Sequence, residues 1–254
     1  IESPELRPGE NRLLITVQDA AGALEKVEVS FTWDPTPVPL PLDLSDLTRF
    51  SHIQEIGQVV NGAFDLDRDL NVIRSRAPVY PDSLLLLGSP YGSQEATYEV
   101  RFTDFTKVKW LGPSDFFVGH VGPHPPIGIK PGWSTCGMVA LNPRWEARAF
   151  LAYGDHSGCG EEWVVQTLPP KRFIARANVL YKVRHQVLFQ NGINIVRYRI
   201  WPANETEPTE WLCEENDAKV PPEKPRFRKG SFGLFQHSGM PIEWSNIQVV
   251  ALSN

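Results

Sequence analysis

The chain has 254 residues, 41% of them hydrophobic, enough for one large domain with an appendage and a sizeable core. Its 25 basic and 30 acidic residues are mixed along the sequence and leave a net charge of −5, which excludes the basic footprint of a nucleic-acid binder. The 23 prolines and 19 glycines favour many turns over long helices, and no apolar run approaches the length that crosses a bilayer.

The chain opens on Ile1 and reads as a processed chain or a fragment. Leu13, Ile15 and Val17 alternate with Leu14, Thr16 and Gln18. A turn follows at Asp19-Ala20-Ala21-Gly22, and then Val27, Val29 and Phe31 alternate with Glu28, Ser30 and Thr32. Period-two alternation on both sides of a turn predicts a hairpin pairing 11–18 with 25–32. Two strands cannot close a sandwich by themselves. Pro35, Pro37, Pro39 and Pro41 then space residues 35–42 as a stiff, extended linker. The expected organisation is a segment at 1–34, a linker at 35–42 and a main domain at 43–254.

Short strands fill that domain. Ala96, Tyr98, Val100 and Phe102 alternate with Thr97, Glu99 and Arg101. Residues 137–141 and 147–153 flank the turn Asn142-Pro143-Arg144. Tyr181, Val183, His185, Val187 and Phe189 alternate with Lys182, Arg184, Gln186 and Leu188. Asn191-Gly192 marks a turn, and Val196, Tyr198 and Ile200 begin the next strand. Phe232 to Phe235 and Ile247 to Val250 close the chain. The pattern predicts an all-β fold of two packed antiparallel sheets.

Three phrases carry resemblances. Pro8-Gly9-Glu10-Asn11, leading to Val17-Gln18-Asp19-Ala20-Ala21-Gly22, resembles the last two strands of bacterial immunoglobulin-like modules. The stretch from Gly233 to Val249, with Gln236-His237-Ser238-Gly239 and Glu243-Trp244-Ser245-Asn246-Ile247, resembles the closing strands of concanavalin A-like domains, in particular the 3-keto-disaccharide hydrolase family. Tyr198-Arg199-Ile200-Trp201-Pro202-Ala203, with Glu207-Pro208 and Trp211, resembles laminin G-like modules of secreted bacterial proteins. These resemblances imply a jelly-roll sandwich that handles carbohydrate, secreted or at the cell surface, with an immunoglobulin-like hairpin at its N-terminus. They also imply a ligand platform on a concave sheet face and a structural Ca²⁺ near the chain ends.

The candidate ligand set is Arg184, Arg197, Arg199, Trp201 and Trp211. Indoles pack on the apolar C–H faces of sugars. Guanidinium groups fork onto carboxylates, which points to an acidic glycan unless carboxylates such as Glu99 and Glu162 balance them. An enzyme, hydrolase or lyase, is the alternative, with His237, Gln236, Glu243 and His185 as its catalytic set. Asp65, Asp67 and Asp69 offer alternating oxygen ligands for Ca²⁺, with Arg68 among them. Asp115, His120, His124, Asp155 and His156 would ligate a metal only if their loops met. Cys136, Cys159 and Cys213 match no zinc spacing and leave open buried thiols or one disulfide. A third reading is a structural subunit of a surface layer or filament, self-associating through residues 1–40.

Overall fold

The computed structural model describes residues 7–34, 38–76, 83–104, 116–121, 135–141, 147–153, 163–167, 173–216, 218, 229–236 and 241–253. The chain divides into two compact units, Ile1–Pro37 and Val38–Asn254.

In the first unit β1 (Gly9–Gln18) pairs antiparallel with β2 (Leu24–Trp33), with Leu13 opposite Val29 and Ile15 opposite Val27. The expected hairpin forms, with β1 two residues longer at its start and β2 one residue longer at each end. Its turn is held by Asp19, whose Oδ1 accepts from the backbone N–H of Ala21 (2.9 Å) and of Ala23 (2.8 Å). Gly22 sits at φ +87°, a conformation that costs glycine little. Two strands are all that this unit contributes among the described residues.

The second unit is an all-β sandwich, as the alternation predicts. In chain order its strands are β3 (Leu42–Leu44), β4 (Gly57–Asn61), β5 (Phe64–Asp67), β6 (Val72–Ser75), β7 (Ser83–Tyr91), β8 (Gln94–Phe102), β9 (Phe116–Val121), β10 (Thr135–Leu141), β11 (Ala147–Tyr153), β12 (Trp163–Thr167), β13 (Leu180–Gln190), β14 (Ile193–Pro202), β15 (Cys213–Asn216), β16 (Gly230–Gln236) and β17 (Ile242–Ala251). Two short 3₁₀ turns, Leu47–Arg49 and Ile53–Glu55, are the only helical elements among the described residues. One sheet runs β12-β11-β10-β9-β16-β7-β4. The other runs β15-β14-β13-β8-β17-β6-β5, with β3 beside β17. All pairings are antiparallel.

The core lies between the two sheets. Tyr98, Val100, Val183, Tyr198, Ile200 and Trp244 of the eight-stranded sheet meet Leu85, Leu87, Phe232 and Leu234 of the seven-stranded one. Aromatic rings interlock there: Phe64 with Trp244 at 6.2 Å, Tyr98 with Phe232 at 5.9 Å, Phe173 edge-on to Tyr181 at 5.4 Å. Val38 and Leu40 pack on this core and Leu42 is buried in it, so the second half of the proline-spaced segment belongs to the sandwich. The compact unit therefore starts at Val38, five residues before the boundary at 43 drawn from the prolines.

Two local features depart from simple alternation. Leu84, Leu85, Leu86 and Leu87 of β7 are all buried, and so is every residue of its neighbour β16. The middle of the seven-stranded sheet is thus covered on both faces, which erases the period of two. In β17 the register slips between Ser245 and Gln248. Asn246 takes up the extra residue at φ +48°, a conformation Asn tolerates well. Its side-chain amide donates to Glu99 Oε2 (2.6 Å).

Candidate functional site

Alternation sends one set of side chains outward from the eight-stranded sheet. Arg184 on β13 lies directly opposite Arg199 on β14, and Arg197 lies opposite Gln186. The arginines share the face away from Tyr181, Val183, Val196, Tyr198 and Ile200, as the sequence predicts. Two guanidinium groups so placed repel unless anions lie between them.

The protein supplies those anions. Arg184 donates from Nε to Glu207 Oε1 (2.6 Å) and from Nη2 to Oε2 (3.1 Å), a forked pair, and from Nη1 to Glu95 Oε1. Gln186 donates to the other oxygen of Glu95 and accepts from Arg197 Nε (2.7 Å). Arg197 also faces Glu214 at 3.6 Å. Arg199 Nε stands 2.7 Å from Glu207 Oε1, though not aligned as a hydrogen bond, and its Nη1 donates to the carbonyls of Pro208 (2.7 Å) and Thr209 (2.9 Å). The balancing carboxylates are Glu95, Glu207 and Glu214. Glu99 is engaged by Asn246 and Ser245 instead, and Glu162 lies outside the described residues. Each of the three arginines thus has an internal carboxylate, the alternative to an acidic glycan that the sequence leaves open, supplied by Glu95, Glu207 and Glu214.

These contacts draw residues 203–212 across the outward face as a strap. Its ends are tied by the Ala203 N–H to Leu180 O (2.9 Å) and the Leu212 N–H to Tyr198 O (2.9 Å). Trp211, near its end, is only partly buried. The guanidinium carbons of Arg197 and Arg199 lie 4.7 and 4.6 Å from its ring centre. Such cation–π contacts fix the orientation of the indole. Trp201 is only 6% exposed, so it packs and cannot serve as a ligand platform.

Glu207 anchors the strap, and its hydrogen bond from Arg184 holds its carboxyl below the usual glutamate range. A depressed carboxyl contributes stability that is present above its unfolded value, about 4.3, and is lost as the pH falls through its folded value. The thermal midpoint of wild type should therefore exceed that of Glu207→Gln at neutral pH, and the gap should close in acid. Parallel midpoint–pH curves for the two proteins would show that Glu207 does not anchor the strap electrostatically.

The catalytic candidates are not brought together. His185 is 1% exposed and packs edge-on to Tyr198 (6.4 Å) and Phe232 (5.9 Å) between the sheets. Gln236 is fully buried four residues along β16 from Phe232, on the same inward face. Glu243 projects outward and is held by Arg74 (2.8 Å) and Arg101 (3.4 Å). The eight-stranded sheet thus separates Glu243 from His185 and Gln236. His237 lies outside the described residues.

Asp65 and Asp67 sit on β5 rather than on a loop. Asp65 pairs with Arg76 (2.7 Å), Asp67 with Arg74 (2.6 Å), and Asp69 is exposed on the turn beyond. With Arg68 and Arg74 they line an open depression of about 390 Å³. Three carboxylates with two spent on guanidinium groups do not fit a Ca²⁺ site, and no His/Cys/Asp/Glu group among the described residues could hold a metal. Of the loop set, His120 is on β9, and Asp115, His124, Asp155 and His156 lie outside the described residues. Cys136 is on β10, Cys213 on β15, and Cys159 lies outside them.

No family model matches the chain, and neither does any curated protein. Solved structures do. The exoplasmic/lumenal domain of VIP36, in a Ca²⁺-bound form, is similar over 84% of this chain and 90% of its own, with 14% identity and a TM-score of 0.50. Lectin I from Ulex europaeus, in complex with the methyl glycoside of α-L-fucose, is similar over 83% and 96%, with 11% identity and a TM-score of 0.49. A carbohydrate-binding module, CBM66, from Bacillus subtilis is similar over 77% and 95%, with 10% identity and a TM-score of 0.48. The likeness to the VIP36 domain, with the two antiparallel sheets, defines the fold class: a concanavalin A-like β-sandwich.

Proposed function

We propose that the sandwich binds carbohydrate on the outward face of its eight-stranded sheet, around Trp211. The observation that carries this reading is the partly exposed indole pinned by Arg197 and Arg199. A fixed aromatic ring with polar groups at its edge matches the C–H faces and hydroxyls of a pyranose. Gln186, Glu214 and the carbonyls of the strap supply such groups nearby. The concanavalin A-like fold supports the reading, although fold alone does not choose a function.

A neutral glycan suits this face better than an acidic one, because Arg184, Arg197 and Arg199 are already neutralised by Glu95, Glu207 and Glu214. The same reading places the protein outside the cell or on its surface, where glycans are met.

Screening the protein on a glycan array, followed by calorimetry on the best sugar, tests this directly. Trp211→Ala is expected to weaken that sugar about five- to thirty-fold, since stacking on one aromatic is worth on the order of 1–2 kcal/mol. Added salt should change the wild-type affinity little. An array with no binding, or full affinity in Trp211→Ala, would remove the proposal. Affinity that collapses with salt would restore the acidic ligand.

A further inference from the structure

The hairpin presents an apolar face that is exposed among the described residues. The register puts Leu13, Ile15 and Val17 of β1 on one side with Val27, Val29, Phe31 and Trp33 of β2. Each of these seven is between 36% and 57% exposed. Glu25, beside the turn, is the one charge among the strand positions of that face. The opposite face is mostly polar, with Arg12 paired to Glu28 (3.5 Å), Glu10, Lys26, Ser30 and Thr32 around them, and Leu14 and Leu24 as its exposed apolar members. Neither strand has a partner on its outer edge among the described residues. Soluble chains rarely leave an apolar patch of this kind uncovered.

We propose that two copies of this chain pack through the apolar faces of their hairpins, related by a twofold axis. Such a face is largely its own complement: apolar side chains meet apolar side chains, Glu25 sits at the turn end, and the other strand charges stay on the outer surfaces. Two stacked sheets bury their facing side chains about 10 Å apart, as in any β-sandwich. The seven side chains offer roughly 500 Å² per copy, so a pair buries about 1,000 Å², the lower bound of a specific interface. The dimer is therefore expected to be concentration-dependent.

Sedimentation of the full 254-residue chain tests this. Wild type should shift from one to two chain masses as its concentration rises to about 100 µM, a range set by the modest area. Val29→Lys, at the centre of the face opposite Leu13, should raise the dissociation constant more than tenfold. Leu14→Lys, on the other face and 58% exposed, should leave it unchanged. Val29→Thr keeps the branched side chain that strands favour and must also weaken the pair. A wild type that stays monomeric over the whole range overturns the proposal. A dimer indifferent to Val29→Thr and Val29→Lys overturns it too.

Discussion

Trp244→Ala is expected to cost the sandwich about 3–5 kcal/mol, the range for deleting a large aromatic from a core. Trp244 is fully buried on β17 and packs against Phe64. Its strand lies between β8 and β6, so a cavity there undercuts both neighbours. The indole Nε1 has no hydrogen-bond partner among the described residues. Trp244→Phe removes that unsatisfied donor along with part of the ring, and should cost less than half as much. Urea unfolding of the three proteins gives the comparison. A loss below about 1 kcal/mol for the alanine variant would mean that the site collapses around the gap, contrary to the packing described.

The second large effect belongs to Arg184. Its guanidinium joins Glu95 on β8 to Glu207 on the strap, and its side chain is 28% exposed. Arg184→Leu leaves two carboxylates on one face with part of their compensation gone. Breaking a fully buried pair costs about 3–5 kcal/mol, and partial exposure reduces this to about 1–3. The strap should also loosen, with faster amide exchange at Leu212, whose N–H is bound to Tyr198 O. Adding Glu95→Gln to Arg184→Leu should recover part of the loss, because it removes the stranded charge. A double variant no more stable than Arg184→Leu alone would show that packing, not charge, carries the effect.

Strands buried on one face were legible in the sequence. Tyr98, Val100 and Phe102 on β8, and Val183, Val187, Val196 and Tyr198 on β13 and β14, keep the period of two that half-buried pleats impose. The same alternation placed His185 with Val183 and Val187, hence in the core, although its chemistry invited a catalytic role. β7 was not legible, since Leu84–Leu87 are covered on both sides and carry no period. Asp65 and Asp67 alternate with Phe64 and Leu66, a strand signal that the count of carboxylates concealed. The arginine partners could not be found locally, because Glu95 and Glu207 lie 89 and 23 residues from Arg184. Only the sheet order and the fold of the strap bring them together.

The irregularity at Asn246 bears on how the chain tolerates changes in length. Before it, Ile242 and Trp244 point inward on even-numbered positions; after it, Ile247 and Val249 point inward on odd ones. Losing one residue elsewhere in a paired strand throws every later side chain onto the wrong face. Between Ser245 and Gln248 the strand already holds one residue more than β8 opposite. A deletion of Asn246 there would restore unbroken alternation and leave Ile247 and Val249 pointing where they already point. That stretch is the point in β17 where the chain can shorten without trading its interior for its surface.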